Sequence, residues 1–202
     1  MGTTSLIVEM VIIGFQVLVW MVLIVLIVFG YDWVDFQKLK DWATILSVIL
    51  IGASYTLGIV FDSFMASLYA PWERRSWKWL PEEIKEGMAR GEKVSPGHMR
   101  AYLMTASPEA SEELNNRANR NSLIRATSLN LVIICLASLI FVHKQFGFSP
   151  KLEIVIIIFS ALLIPLSIRT WGRLRNGYYL FLVNVYQNTK EAEERSISRF
   201  SS

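Results

Sequence analysis

The stretch ATILSVILIGASYTLGIVFDSFMASLYA, residues 43–70, decides the fold of this chain. A helix of these 28 residues is about 42 Å long at about 1.5 Å per residue, which exceeds the roughly 30 Å hydrocarbon core of a bilayer. Among its apolar and small residues the stretch contains one carboxylate, Asp62. It therefore predicts a tilted helix that spans a membrane and carries an acidic side chain within its length.

One face of this helix is polar or small. Spacings of three, four and seven residues place five residues on that face: Ser47, Ser54, Tyr55, Gly58 and Asp62. Because a charged carboxylate near the centre of a span costs about 2.5–3.5 kcal/mol, we expect Asp62 to face other helices or water. Three roles follow for it: a structural contact between helices, a position in an ion or proton pathway, or an interfacial residue that reaches the headgroups.

Three further apolar blocks complete the pattern: Leu6–Phe29, Ala126–Val142 and Ile154–Ile168. Of the 202 residues 53% are hydrophobic, and their concentration in blocks separates this chain from a soluble domain. We predict an all-α, polytopic membrane protein with four transmembrane helices, a helical cytoplasmic loop and an amphipathic C-terminal segment.

The four blocks divide the chain into two hairpins, a loop between them and a C-terminal segment. Their bounds are 1–71 for the first hairpin (spans 6–29 and 43–70), 72–122 for the loop, 123–171 for the second hairpin (spans 126–142 and 154–168) and 172–202 for the C-terminal segment.

Local signals refine the loop and the C-terminal segment. Ser107 followed by Pro108 predicts a helix start with Ser107 as N-cap, and the absence of Pro and Gly from there to Val142 predicts one continuous helix into the third span. The apolar run Gly177–Gln187 is too short to span. We expect it to lie along the membrane, or to pack on the loop or on another subunit. We expect the charged stretch Thr189–Ser202 to fray.

The distribution of positive charge predicts the topology. Of the 20 Lys and Arg residues, ten lie in 71–125 and six follow Ile168, whereas the two loops on the other side share the remaining four. The positive-inside rule therefore places both termini and the central loop in the cytoplasm.

Polar residues in the other spans are candidates for contacts with Asp62. Gln16 lies deep in the first span and is expected to hydrogen-bond a neighbouring helix. Arg125 and Asn130 lie at the depth expected for Asp62, so we predict that Asp62 pairs with one of them. The residues assigned to a pathway or to polar interhelical contacts are Asp62, Ser54, Gly58, Gln16, Asn130 and Arg125.

Tryptophan and basic residues alternate directly after the second span. Such a pattern also occurs in nucleic-acid sites, where bases stack on aromatic rings. Beside a span it is more typical of anchoring, with Trp at headgroup depth and cations on anionic lipid. We therefore assign five membrane-interface anchors and expect no nucleic acid: Trp72, Arg74, Arg75, Trp77 and Trp79.

Motifs of catalysis and of metal or cofactor binding are missing from the sequence. It has no phosphate-binding loop, no nucleophile elbow and no His-Glu-x-x-His. The single cysteine, Cys135, lies in an apolar block, and His98 and His143 are predicted on opposite sides of the membrane. We therefore expect no enzyme, no catalytic residues, no metal and no cofactor.

These observations favour a homo-oligomeric ion channel or pore component that is gated through its basic cytoplasmic loop, of which a membrane-depolarising effector is one example. Two alternatives stay open: a non-conducting anchor or assembly subunit that recruits a partner, and a small proton-coupled transporter. The expected partners are membrane lipids, further copies of the chain, and a cytoplasmic protein or an anionic small molecule.

Overall fold

The computed structural model describes residues 2–32, 34–76 and 95–200, and within these ranges the regular structure is entirely helical. The helices are α1 (Gly2–Phe29), α2 (Phe36–Asp41), α3 (Ala43–Ser76), α4 (Pro96–Ala106), α5 (Pro108–Phe146) and α6 (Pro150–Phe200). In the described part of the chain, four of them are long and apolar enough to cross a membrane: α1, α3, α5 and α6. The predicted all-α membrane protein with four transmembrane helices is confirmed.

The starts of α4 and α5 follow the rules for capped helices. The Ser95 hydroxyl accepts a hydrogen bond from the backbone N–H of His98 at 3.2 Å, and Pro96 is the first residue of α4. The Ser107 hydroxyl accepts from the backbone N–H of Ala110 at 3.4 Å, and α5 begins at the next residue. The predicted helix start and the predicted continuous helix into the third span are therefore confirmed.

Glycines with a left-handed backbone follow α1 and α5. Gly30 has φ of 75° and Gly147 has φ of 70°, a conformation that costs glycine little because it has no Cβ. Each therefore ends its helix and lets the chain turn into the connection that follows.

The chain forms two compact units. We call Thr3–Leu68 with Ser122–Trp171 the membrane unit, and Tyr69–Asn121 with Gly172–Ser202 the second unit.

Two glycines bring α1 and α3 of the membrane unit into backbone contact. A Cβ built on Gly14 would lie 1.6 Å from the carbonyl oxygen of Ser54, and a Cβ on Gly58 would lie 1.9 Å from the carbonyl oxygen of Met10. No side chain fits at either position. The two helices therefore pack backbone to backbone, as small residues allow in membranes.

The second unit has a hydrophobic core of its own, made of Met99, Leu103, Leu114, Leu182 and Val183. Leu182 and Val183 belong to the apolar run of the C-terminal segment, and they pack on side chains of the predicted loop. Of the three placements expected for this run, the structure shows packing on the loop.

The C-terminal end of α6 differs from expectation. The stretch that we expected to fray is helical as far as Phe200. An ion pair of Arg195 with Glu191 at 3.1 Å, one helical turn apart, supports this helix. The Glu193 carboxylate also accepts a hydrogen bond from the Tyr102 hydroxyl at 2.6 Å, which ties the helix to α4. The expectation from charge alone was wrong because it ignored these contacts.

Candidate functional site

An ion pair joins α3 to α5 inside the membrane unit. The Arg125 guanidinium Nη2 lies 3.1 Å from Oδ1 of Asp62, and the Ser122 hydroxyl donates a hydrogen bond to the same carboxylate oxygen. The Arg125 side chain is 9% exposed and the Asp62 side chain 24%. Of the two partners considered for Asp62, the structure thus provides Arg125. We call these three residues the charged cluster.

A second carboxylate lies at a similar depth. Glu9 is 9% exposed and directly precedes Met10, whose carbonyl lies against Gly58. Asp62 is one helical turn, about 6 Å, further along α3 than Gly58. Glu9 and Asp62 therefore lie within about one helical turn of each other in depth. This part of the membrane unit thus contains two carboxylates.

A chain of hydrogen bonds connects α1 to α5. Nε2 of Gln16 donates to the Thr127 hydroxyl at 3.2 Å, and Nδ2 of Asn130 donates to Oε1 of Gln16 at 3.1 Å. The indole N–H of Trp20 donates to Oδ1 of Asn130 at 3.1 Å. Asn130 is 0% exposed. The hydrogen bond predicted for Gln16 is therefore present, and we call these four residues the polar seam.

The energetics of both groups follow from their burial. Leaving one charge of a buried ion pair without its partner costs about 3–5 kcal/mol, and leaving a buried donor or acceptor unbonded costs about 1–3 kcal/mol. The charged cluster and the polar seam therefore fix which faces of α1, α3 and α5 meet.

Ser54 and Gly58 lie in the contact between α1 and α3. Ser54 is 1% exposed, and Gly58 is buried against the backbone of α1. These two of the six sequence-assigned residues therefore belong to neither the charged cluster nor the polar seam. Asp62 and Arg125 meet in the charged cluster, and Gln16 and Asn130 meet in the polar seam.

The opposite face of α3 is exposed, and it carries hydroxyls among apolar side chains such as Ile49 and Val60. Its hydroxyls donate to carbonyls of the same helix four residues earlier: Thr56 to Gly52 at 3.1 Å, Ser63 to Ile59 at 2.9 Å and Ser67 to Ser63 at 3.3 Å. We call Gly52, Thr56, Ser63 and Ser67 the hydroxyl face.

Four residues of these groups were not among the site residues assigned from the sequence: Glu9, Trp20, Ser122 and Thr127. Glu9, Gln16 and Trp20 are spaced by seven and four residues, which places them on one face of α1. That spacing was the signal for a polar face on the first span. Ser122 and Thr127 have no comparable signal, because hydroxyls in a span usually bond to their own helix.

The predicted interface anchors fall largely outside the described residues. Trp77 and Trp79 lie in the undescribed range 77–94. The backbone at Trp72, Arg74 and Arg75 is the helical end of α3, and their side chains are outside the description. Their assignment as anchors stays a prediction.

The second unit contains a titratable contact between α4 and the C-terminal part of α6. The Tyr102 hydroxyl donates to Glu193, and the Tyr102 ring packs edge-on against Tyr186 with centroids 5.3 Å apart. The hydrogen bond to the Glu193 carboxylate raises the pKa of Tyr102 above its ordinary value, because it favours the protonated phenol.

The fold and the polar contacts together define the class of this chain: an integral membrane protein with four candidate spans. Comparison of the chain with protein-family models, curated proteins and solved structures gives no match.

Proposed function

We propose that this protein is a homo-oligomeric ion channel in which the hydroxyl face of several copies surrounds a shared water-filled path. The observation that carries the proposal is the exposure of the hydroxyl face on a helix that is apolar and long enough to span. Pathways of this kind are lined by polar side chains and backbone groups of facing helices.

The distribution of polar groups favours several copies over a path within one chain. The side chains of the polar seam hydrogen-bond to one another, and Asn130 is fully buried. Ser54 and Gly58, which the sequence suggested as lining residues, are packed against α1. The hydroxyl face is available on the outside of the same helix, so further copies are needed to enclose it.

Within this proposal the gate is the predicted cytoplasmic loop, residues 72–122, which follows the proposed lining helix. This loop contains nine Lys and Arg residues and eight Glu residues, so its net charge is close to zero and does not by itself favour an anionic ligand.

The test is accessibility of cysteines during current recording in planar bilayers. Thr56→Cys and Ser63→Cys are made in a Cys135→Ser background and treated with a charged, water-soluble thiol reagent. Phe64→Cys is the matched control. Phe64 is 56% exposed, and it lies about 100° around the helix from Ser63, so it is away from the hydroxyl face. We expect the reagent to reduce the current for the first two variants and to leave the control unchanged.

Two results would contradict the channel proposal. The proposal would be contradicted if the wild-type protein carried no ionic current under any condition. It would also be contradicted if the thiol reagent changed the current of Ser63→Cys and Phe64→Cys equally. Hydroxyls that bond to their own helix can face lipid at little cost, and a monomer with α3 facing lipid would give that second result.

A non-conducting anchor is the second candidate, and the separate core of the second unit favours it. A folded unit outside the apolar blocks is what recruitment of a partner requires. A silent membrane unit that keeps its fold would support this candidate over the channel.

A further inference from the structure

The hydroxyl face of α3 presents oxygen lone pairs rather than hydroxyl hydrogens. A serine or threonine hydroxyl has one hydrogen to donate and two lone pairs that accept. The hydroxyls of Thr56, Ser63 and Ser67 each donate that hydrogen to a carbonyl of α3 itself, at 3.1, 2.9 and 3.3 Å. The lone pairs are therefore what these three side chains offer to the outside of the helix.

These oxygens follow one another along the axis of α3, and all three side chains are exposed. Thr56 and Ser63 are about 10 Å apart along the helix, and Ser67 lies about 6 Å further on. In the proposed oligomer each of these positions contributes one oxygen per copy. The shared path would therefore contain three successive rings of acceptor oxygens.

The charged side chain beside this face is an acid. Asp62 directly precedes Ser63, and its side chain is 24% exposed, whereas the side chain of its partner Arg125 is 9% exposed. Both donors of the charged cluster bind the same oxygen of Asp62, Oδ1. The charged cluster therefore buries its positive member more deeply than its negative member.

This combination of groups attracts cations and repels anions. Potassium channels hold their ion with uncharged carbonyl oxygens that replace its hydration shell, whereas anion pores use rings of Arg or Lys. The four residues of the hydroxyl face contain no Arg or Lys, and the hydrogens of their hydroxyls are already bonded. Because calcium sites use several carboxylates, uncharged hydroxyl oxygens suit a monovalent cation better than a divalent one.

We propose that the permeant ion is a monovalent cation, which passes the hydroxyl oxygens of Thr56, Ser63 and Ser67 in turn. This inference rests on the proposed channel, because these oxygens line a path only where several copies enclose it.

The test is the reversal potential of the current carried by the full chain in planar bilayers, with a gradient of potassium chloride across the membrane. Thr56→Val and Ser63→Ala each remove one of the proposed oxygens. Ser47→Ala is the matched control. The Ser47 hydroxyl donates in the same way to the carbonyl of Ala43, at 2.8 Å, but Ser47 lies about 160° around the helix from Ser63.

We expect the wild-type current to reverse close to the equilibrium potential of potassium. A polar contact to a charged group contributes about tenfold or more to an equilibrium constant. Thr56→Val and Ser63→Ala should therefore each lower the ratio of potassium to chloride permeability by about tenfold, and Ser47→Ala should keep the wild-type ratio.

Three results would overturn this inference, and they differ in what they leave standing. Reversal close to the equilibrium potential of chloride would overturn the cation and leave the channel. A wild-type permeability ratio in both Thr56→Val and Ser63→Ala would overturn the role of the hydroxyl oxygens. A wild-type protein that carries no current would overturn the channel itself, and this inference with it.

Discussion

Removal of either charge of the Asp62–Arg125 pair should destabilise the membrane unit strongly. The pair joins α3 to α5 at 3.1 Å, and the arginine is 9% exposed. Loss of one partner from a buried ion pair costs about 3–5 kcal/mol. Because 24% of the aspartate side chain is exposed, we expect the lower end, about 3 kcal/mol, for Asp62→Asn and for Arg125→Gln.

The double variant provides the sharper test. Asp62→Asn combined with Arg125→Gln removes both charges, so neither is left alone in the interior. Its loss of stability should fall short of the sum of the single losses by about 1–3 kcal/mol, the coupling typical of residues in direct contact.

The assay is equilibrium unfolding in mixed micelles, in which the anionic detergent sodium dodecyl sulfate is titrated into a non-ionic one. Arg195→Gln is the control, because its pair with Glu191 is solvent-exposed and one turn apart on a single helix. It should change the midpoint little. If the stability losses of the two single variants simply add in the double variant, the ion pair is not the cause of those losses.

Three further predictions concern helix contacts and titration. Gly58→Ala should destabilise the membrane unit by about 1–3 kcal/mol in the same assay, since its Cβ would overlap backbone; Gly52→Ala should be tolerated, because no other described atom lies within 4 Å of a Cβ there. Asn130→Leu should cost about 1–3 kcal/mol by leaving polar groups of the seam unbonded, and a change below the error of the titration would contradict that role. Tyr102→Phe should remove, from an absorbance titration at high pH, a tyrosine that ionises above the ordinary tyrosine pKa. The hydrogen bond to Glu193 stabilises the wild type below the ordinary tyrosine pKa and is lost as pH rises through the raised pKa, so the two proteins should converge in stability above it.

The spans were readable from the sequence because hydrophobicity in long blocks is a local property. Leu6–Phe29 is identical as a predicted block and as a candidate span. The start of α5 was equally local, since Ser107 caps its own helix. Each of these features depends on residues that are neighbours in the chain.

The sequence indicated the packed face of α3 through Ser54, Gly58 and Asp62, but it did not identify the helix that Ser54 and Gly58 meet. Ser54 and Gly58 mark one face, and Thr56 and Ser63 mark the other. Which face meets α1 depends on Gly14, which lies in a different helix and removes the side chain that would block the approach. Periodicity within one helix contains no information about such a partner.

The polar seam sets an order of events during synthesis. Gln16 and Asn130 are separated by 114 residues, and a ribosome adds about 5–20 residues per second. The Gln16 amide is therefore made about 6–23 s before its partner on α5. During that interval the first hairpin contains a polar group in hydrocarbon without its final hydrogen bonds. A nascent chain arrested before α5 should accordingly be the form most dependent on the insertion machinery, and release from it should follow translation of Asn130.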